Sequence, residues 1–201
     1  EDAGNCVAEI IAEGCIPAGM EIMDKALNDE QKARVLPEVA SDPRCLLAIG
    51  ITEPDNASNY FLPYPSSFRT TAEKTDGGWV VNGMKHFISN GNTARFYLLF
   101  VQTLKGVGLA EGSTCFLLER GHEGFSIGHV HDKMGERLAN NAELIFQDCF
   151  IPDENVVGEP HKGFSVLANF FPQSNAYAGA SITGVAEACF AKSEEWAKKK
   201  I

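Results

Sequence analysis

Apolar positions recur at helical spacing at both ends of the chain and at strand-like spacing between them. Val7, Ile10 and Ile11 share one helical face, and Gly14 supplies a stop. Pro17 opens a second predicted helix carrying Met20, Ile22, Met23 and Leu27. Asn28 followed by Gln31 has the form of a capping box for a third helix, EQKARVL, expected to end before Pro37. Asp42-Pro43 reads as a break.

From residue 46 to about 158 the period shortens. LLAIGI, TTAEK, WVVNG, HFIS, ARFYLLFVQT, TCFLLE and AELIFQDCFI are short runs rich in β-branched and aromatic residues. Turn signals separate them at Asp76-Gly77-Gly78, Asn82-Gly83, Gly121 to Gly124 and Pro152. The pattern predicts about seven short strands in an antiparallel barrel or sandwich rather than a parallel sheet. With helices on either side, the fold class is α+β. Residues 59–68, NYFLPYPSSF, form an aromatic and proline-rich loop that must dock on something. Helical spacing returns over 163–201, where Ala176, Ala178, Gly179, Ala180, Ser181, Gly184, Ala186 and Ala188 make a small-residue face. Both ends lie inside helical pattern, which is the expectation for a fragment.

Composition narrows the function classes. The 201 residues, 44% hydrophobic and 22% charged, can form a well-packed core. A net charge of -10 argues against nucleic acid or anionic lipid as a partner, since either calls for a basic patch. No apolar run approaches a bilayer span, and the N-terminus lacks the pattern of a secretion signal. The six cysteines, Cys6, Cys15, Cys45, Cys115, Cys149 and Cys189, form no CxxC pair and read as reduced, mostly buried thiols of an intracellular protein.

Isolated motifs carry little. The glycines from Gly106 to Gly112 resemble a dinucleotide fingerprint, but a strand follows them where a phosphate-binding helix is needed, so they read as an inter-strand loop. His129 and His131 can share one face of a strand as a metal pair. No third ligand stands near them in the sequence, so they read as surface histidines and no metal is assigned. Asn56-Ala57-Ser58 matches a glycosylation acceptor by chance.

Three segments are specific when taken together. They are Ile51-Thr52-Glu53-Pro54-Asp55-Asn56-Ala57-Ser58, then Asn82-Gly83-Met84-Lys85-His86-Phe87-Ile88-Ser89-Asn90, then Lys133-Met134-Gly135-Glu136-Arg137 with residues 143–148 and 151–158. In this order they resemble the acyl-CoA dehydrogenase family of flavoproteins, with its patterns TEP-x-x-G-S-D, NG-x-K-x-W-I-T-N and K-x-G-x-R…L-x-F-x-D-V-x-VP-x-x-N-x-x-G. The resemblance covers essentially the whole chain. It implies that residues 1–45 end an N-terminal helical domain, that 46–160 form a middle β-domain binding flavin and acyl-CoA, and that 161–201 begin a C-terminal helical domain.

The resemblance further implies FAD as cofactor and α,β-dehydrogenation of an acyl-CoA thioester. In that chemistry a glutamate removes the α-proton, a β-hydride passes to the flavin, and the electrons leave through an electron-transfer flavoprotein. It places the backbone at Ile51 and the hydroxyl of Thr52 at the flavin ring, with Phe87, Ile88 and Ser89 lining it. Ser58 is expected near both the cofactor and the thioester. The catalytic base is expected beyond Ile201, so no catalytic residue is assigned. A homo-oligomer (tetramer or dimer) in bacterial cytoplasm or mitochondrial matrix is implied for the complete protein.

Departures from the pattern are Ala57 and Asn59 for Gly and Asp, Phe87 for Trp, Ser89 for Thr, Asn175 near a frequent Arg, and extra residues after Ser58 that border the acyl pocket. Three alternatives stay open: an acyl-CoA oxidase or flavin monooxygenase on the same fold, a non-enzymatic FAD or acyl-CoA binding module, and an unrelated all-β interaction domain.

Overall fold

A computed structural model describes residues 24–57, 66–135, 137, 139–168 and 171–200. The first two predicted helices fall outside these residues except for the end of the second, where 24–26 are helical and Leu27 is buried. The third is α1, Asp29–Ser41. Its capping box forms as expected: Gln31 N–H donates to Asn28 Oδ1 at 2.8 Å and Asn28 N–H donates to Gln31 Oε1 at 3.2 Å. The helix does not stop before Pro37 but runs through it. A proline removes one helical donor; here Val35 in the core and Gln31, whose Nε2 donates to the carbonyls of Glu154 and Val156, bind the helix to the sheet around that gap.

Eight strands follow among the described residues: β1 Leu47–Gly50, β2 Thr71–Thr75, β3 Gly78–Ser89, β4 Phe96–Gln102, β5 Ser113–Glu119, β6 Phe125–Val130, β7 Asn141–Pro152 and β8 Val156–Val157. A short helix α2, Leu109–Gly112, fills the β4–β5 connection, so the glycine-rich stretch leads into a strand as expected. After β8 come α3, Gly163–Ala168, and α4, Phe171–Lys198. The class is α+β.

Closure into a barrel does not occur. The strands form one open sheet in the order β6-β7-β3-β2-β4-β5-β8, with β1 added beside β4. Nor is it wholly antiparallel, because β1 runs parallel to β4 from Leu47↔Phe96 to Gly50↔Leu99 and β2 touches β4 in parallel. The sheet is bent, so β3, β6 and β7 lie over one face of β4 and β5. Trp79 of β3 meets Phe116 of β5 at 5.8 Å between ring centres, and Tyr97 of β4 meets Phe125 of β6 at 4.9 Å.

That bend explains the unbroken apolar run of β4, all seven of whose residues are buried. Phe96, Leu98 and Phe100 face a core completed by Val35 of α1, Leu47 of β1 and Leu167 of α3. Tyr97, Leu99 and Val101 face a second core with Trp79, Val81, Leu144, Phe146 and Ile151. A strand covered on both sides loses the alternation that marks a half-exposed one. Burying each large side chain stabilises the fold by about 1.5–3 kcal/mol, so β4 is the structural axis of the molecule.

One predicted turn is something else. Asn82-Gly83 does not reverse the chain; it sits inside the 12-residue β3, where the register against β7 shifts between Val81 and Gly83. Gly83 takes φ +137, and a Cβ there would lie 2.6 Å from Thr70 Cα. Asn82 spans the bulge, donating to Asp148 Oδ1 at 3.1 Å and accepting the Asp148 N–H at 2.8 Å. Only glycine permits both this backbone angle and the close passage of Thr70.

The thiols are free among the described cysteines, but Cys189 is exposed while Cys115 and Cys149 are buried. Burial raises the Cys115 pKa well above its ordinary value and that of Cys149 to about 11. Cys6 and Cys15 lie outside the described residues. No helix among the described residues is long and apolar enough to cross a membrane.

Candidate functional site

The first two sequence segments meet through a buried ion pair. Where the chain leaves β1, Glu53 and Asn56 bridge each other across Pro54-Asp55, making a tight turn. Glu53 is turned inward, and its carboxylate accepts the N–H groups of Arg69 at 2.7 Å and Thr70 at 3.0 Å. Lys85 Nζ donates to Glu53 Oε1 at 2.8 Å and to the Ile51 carbonyl at 3.1 Å, and stands 3.6 Å from the centre of the Phe68 ring.

Both side chains are sealed from water, with 0% exposure for Lys85 and 1% for Glu53. Burial drives the Lys85 pKa down to about 8, against the attraction of Glu53. Burial also pushes Glu53 upward, but the Lys85 charge and the hydrogen bonds from Lys85, Thr70 and Arg69 outweigh it and hold the carboxyl below its ordinary value.

This clasp has a consequence for the neighbouring backbone. His86 N–H donates to the Thr52 carbonyl at 2.7 Å, and the Thr70 hydroxyl donates to the Met84 carbonyl at 2.9 Å. The exit of β1 and the second half of β3 are therefore fixed side by side. A second register shift, between Lys85 and Ile88, then turns the chain so that Phe87 adopts φ +56. Phe87 is 53% exposed, while Ile88 returns to the core at 2% and Ser89 faces out again.

Asn141, at the start of β7, donates to both the Phe87 carbonyl and Ser89 Oγ at 3.1 Å, and itself accepts from Lys133 Nζ. The result is an outward aromatic face flanked by the half-buried Thr52 and the exposed Ser89. A large aromatic held outward by strained backbone suits the covering of a planar ring.

The expected site residues divide accordingly. Phe87 and Ser89 are exposed and joined through Asn141, and the half-buried Thr52 is tied to the same strand by the His86 N–H on its carbonyl. Ile51 and Ile88 send their side chains into the two cores, leaving only backbone near the site, and the Ile51 carbonyl is already taken by Lys85. Ser58 and residues 59–65 of the proline-rich loop lie outside the described residues. Sequence reasoning quoted Glu53 and Lys85 without assigning them a role, and missed Asn141. The available signal was a lysine among the inward positions of a strand.

A polar cluster lies directly beside Phe87. Its ring centre is 4.1 Å from that of His86 and 4.5 Å from that of His131. His86 Nε2 lies 3.2 Å from Glu143 Oε1, and Glu143 Oε2 accepts the His129 N–H at 3.0 Å. That backbone N–H holds the Glu143 pKa below its ordinary value, with His86 adding to the effect against some burial. Burial, followed by the nearby His86 and His129, lowers the His131 pKa.

Comparison with known proteins follows the same outline. The family model for the acyl-CoA dehydrogenase middle domain matches residues 48–149. The short-chain-specific acyl-CoA dehydrogenase of Megasphaera elsdenii is 37% identical over 155 residues, covering 77% of this chain and 39% of its own length. The mitochondrial isovaleryl-CoA dehydrogenase of Oryza sativa subsp. japonica is 35% identical over 159 residues, covering 79% of this chain and 37% of its own. The structure of butyryl-CoA dehydrogenase from Megasphaera elsdenii superposes with a TM-score of 0.82 at 31% identity, covering 94% of this chain and 48% of that one. The chain thus spans between about two-fifths and one-half of the length of these relatives.

Proposed function

Because the chain belongs to the acyl-CoA dehydrogenase family, we propose that it is the flavin-contacting part of an FAD-dependent oxidoreductase that acts on the CH–CH bond of an acyl-CoA thioester. The observation that carries this reading is the exposed Phe87 ring, set at φ +56 beside Thr52 by the buried Glu53–Lys85 clasp. A flavin needs one ring face covered by aromatic surface and its polar edge hydrogen-bonded. The residues present fit that demand. Phe87 supplies the face, and the Thr52 hydroxyl, which makes no hydrogen bond among the described residues, is available for the edge. Ser89, positioned by Asn141, offers a second hydroxyl.

When bound, FAD would supply the acceptor for a hydride from the substrate β-carbon. The chain's own contribution is positional. Lys85 and Glu53 hold the two segments in register, Phe87 excludes water from one face, and Thr52 and Ser89 fix orientation. The reading assigns residues 46–160 to the β-domain binding flavin and acyl-CoA, with Ser58 at the junction of the two ligands. It assigns no catalytic base within the chain. An electron-transfer flavoprotein as acceptor, a homo-oligomeric complete protein, and a bacterial cytoplasmic or mitochondrial matrix location belong to the same proposal.

Thr52→Val tests the assignment. Removing one ring hydrogen bond should weaken FAD binding by about 1 kcal/mol, or roughly fivefold in dissociation constant measured by quenching of flavin fluorescence. An unchanged constant in a folded variant removes Thr52 from the site.

A further inference from the structure

We propose that His86, His131 and Glu143 form a binding site for a borderline divalent transition ion of the zinc type. The three side chains come from β3, the segment just after β6, and β7, and one donor atom from each lies within 4.8 Å of the other two. A tetrahedral zinc with bonds of about 2.0–2.1 Å needs donors roughly 3.4 Å apart, so small side-chain rotations close the site. Two imidazoles and one carboxylate are a donor set suited to zinc, and they leave a coordination position for water.

Two further observations point to a ligand rather than to three chance neighbours. His131 Nε2 is buried from solvent and lacks a hydrogen-bond partner. Buried imidazole nitrogens are ordinarily paired, and a coordinated ion is one way of satisfying such a group. Glu143 is meanwhile oriented from behind, because the His129 N–H holds Oε2 and leaves Oε1 facing His86. Support of this kind from outside the ligand set is what fixes coordinating carboxylates.

The sequence pairs His131 with His129, two residues away. The fold instead supplies the other ligands across strands, and the His129 ring, 5.2 Å from that of His131, stands outside the set. The site does not depend on the flavin reading, since no ligand atom is shared with it.

The test is titration of the flavin-free 201-residue chain, its accessible thiols alkylated, with cobalt(II), followed by visible d–d absorption and zinc competition. The expected result is saturation at one equivalent, bleached by zinc and retained in His129→Ala. In His131→Ala and Glu143→Gln, with unchanged circular dichroism, affinity should fall by more than about tenfold. Three results overturn the proposal: no saturable binding, thiolate-to-cobalt charge-transfer bands, or loss in His129→Ala with retention in Glu143→Gln.

Discussion

Replacing Lys85 with methionine should be among the most damaging single substitutions in the β-sheet, and its cost should depend on pH in a diagnostic way. Methionine conserves most of the volume but removes Nζ, with its hydrogen bonds of 2.8 Å to Glu53 and 3.1 Å to the Ile51 carbonyl. It leaves a carboxylate that is 1% exposed without its cation. Breaking a buried pair from one side costs about 3–5 kcal/mol. The Arg69 and Thr70 N–H groups still serve Glu53, which places the expected loss toward the lower end, about 3 kcal/mol near neutral pH.

Lys85→Met/Glu53→Gln removes the stranded charge but keeps an oxygen for only one of the two donors, since Arg69 bonds to Oε2 and Thr70 to Oε1, so the double variant should be more stable than Lys85→Met by only about 1 kcal/mol. Acid then separates the two single states. In the wild type Glu53 titrates below its ordinary 4.5, whereas in Lys85→Met burial acts unopposed by the lysine and raises it. The stability gap between wild type and Lys85→Met should therefore narrow as the pH falls toward 4.5 and below. Urea denaturation followed by circular dichroism at several pH values measures all of this. A Lys85→Met variant within about 1 kcal/mol of wild type, or a double variant no better than the single, would refute the account of the clasp.

Two other expectations use the same fold. Since the folded Glu53 pKa lies below its ordinary 4.5, its contribution to wild-type stability is fully present above that pH and is lost as pH falls through the folded value. Glu53→Gln should flatten that acid limb, and an unchanged acid profile would show that other carboxyls set it. Gly83→Ala places a Cβ 2.6 Å from Thr70 Cα at φ +137 and should cost about 2–3 kcal/mol by urea denaturation; a neutral substitution would contradict the requirement for glycine at this crossing.

What could be read from the sequence was mostly local. The capping box of α1 depends on residues three apart, and both of its hydrogen bonds formed as the spacing required. Individual strands such as β4, β5 and β7 announced themselves by their apolar runs. Long-range facts did not. The Asn82-Gly83 pair reads as a hairpin from its neighbours alone, and only its pairing with β7, across Asp148, makes it a bulge. The sheet's bend and its open edges arise from contacts such as Trp79 with Phe116, which no local spacing encodes.

The candidate site shows the same division. Thr52, Phe87 and Ser89 stood in recognisable segments, but the burial of Ile88 follows from the second register shift in β3 and that of Ile51 from its place at the exit of β1 against the first core. The Glu53–Lys85 clasp joins residues 32 apart, and Glu143 reaches His86 across 57 residues, so both were invisible to spacing arguments.

The most direct measurement is the visible absorption spectrum of the purified chain after incubation with FAD and removal of the excess. Retained flavin bands, reduced in parallel by Thr52→Val and Phe87→Ala, are the predicted result. A folded chain with intact β-sheet signal and no retained flavin would contradict the claim that Phe87 and Thr52 form a flavin platform.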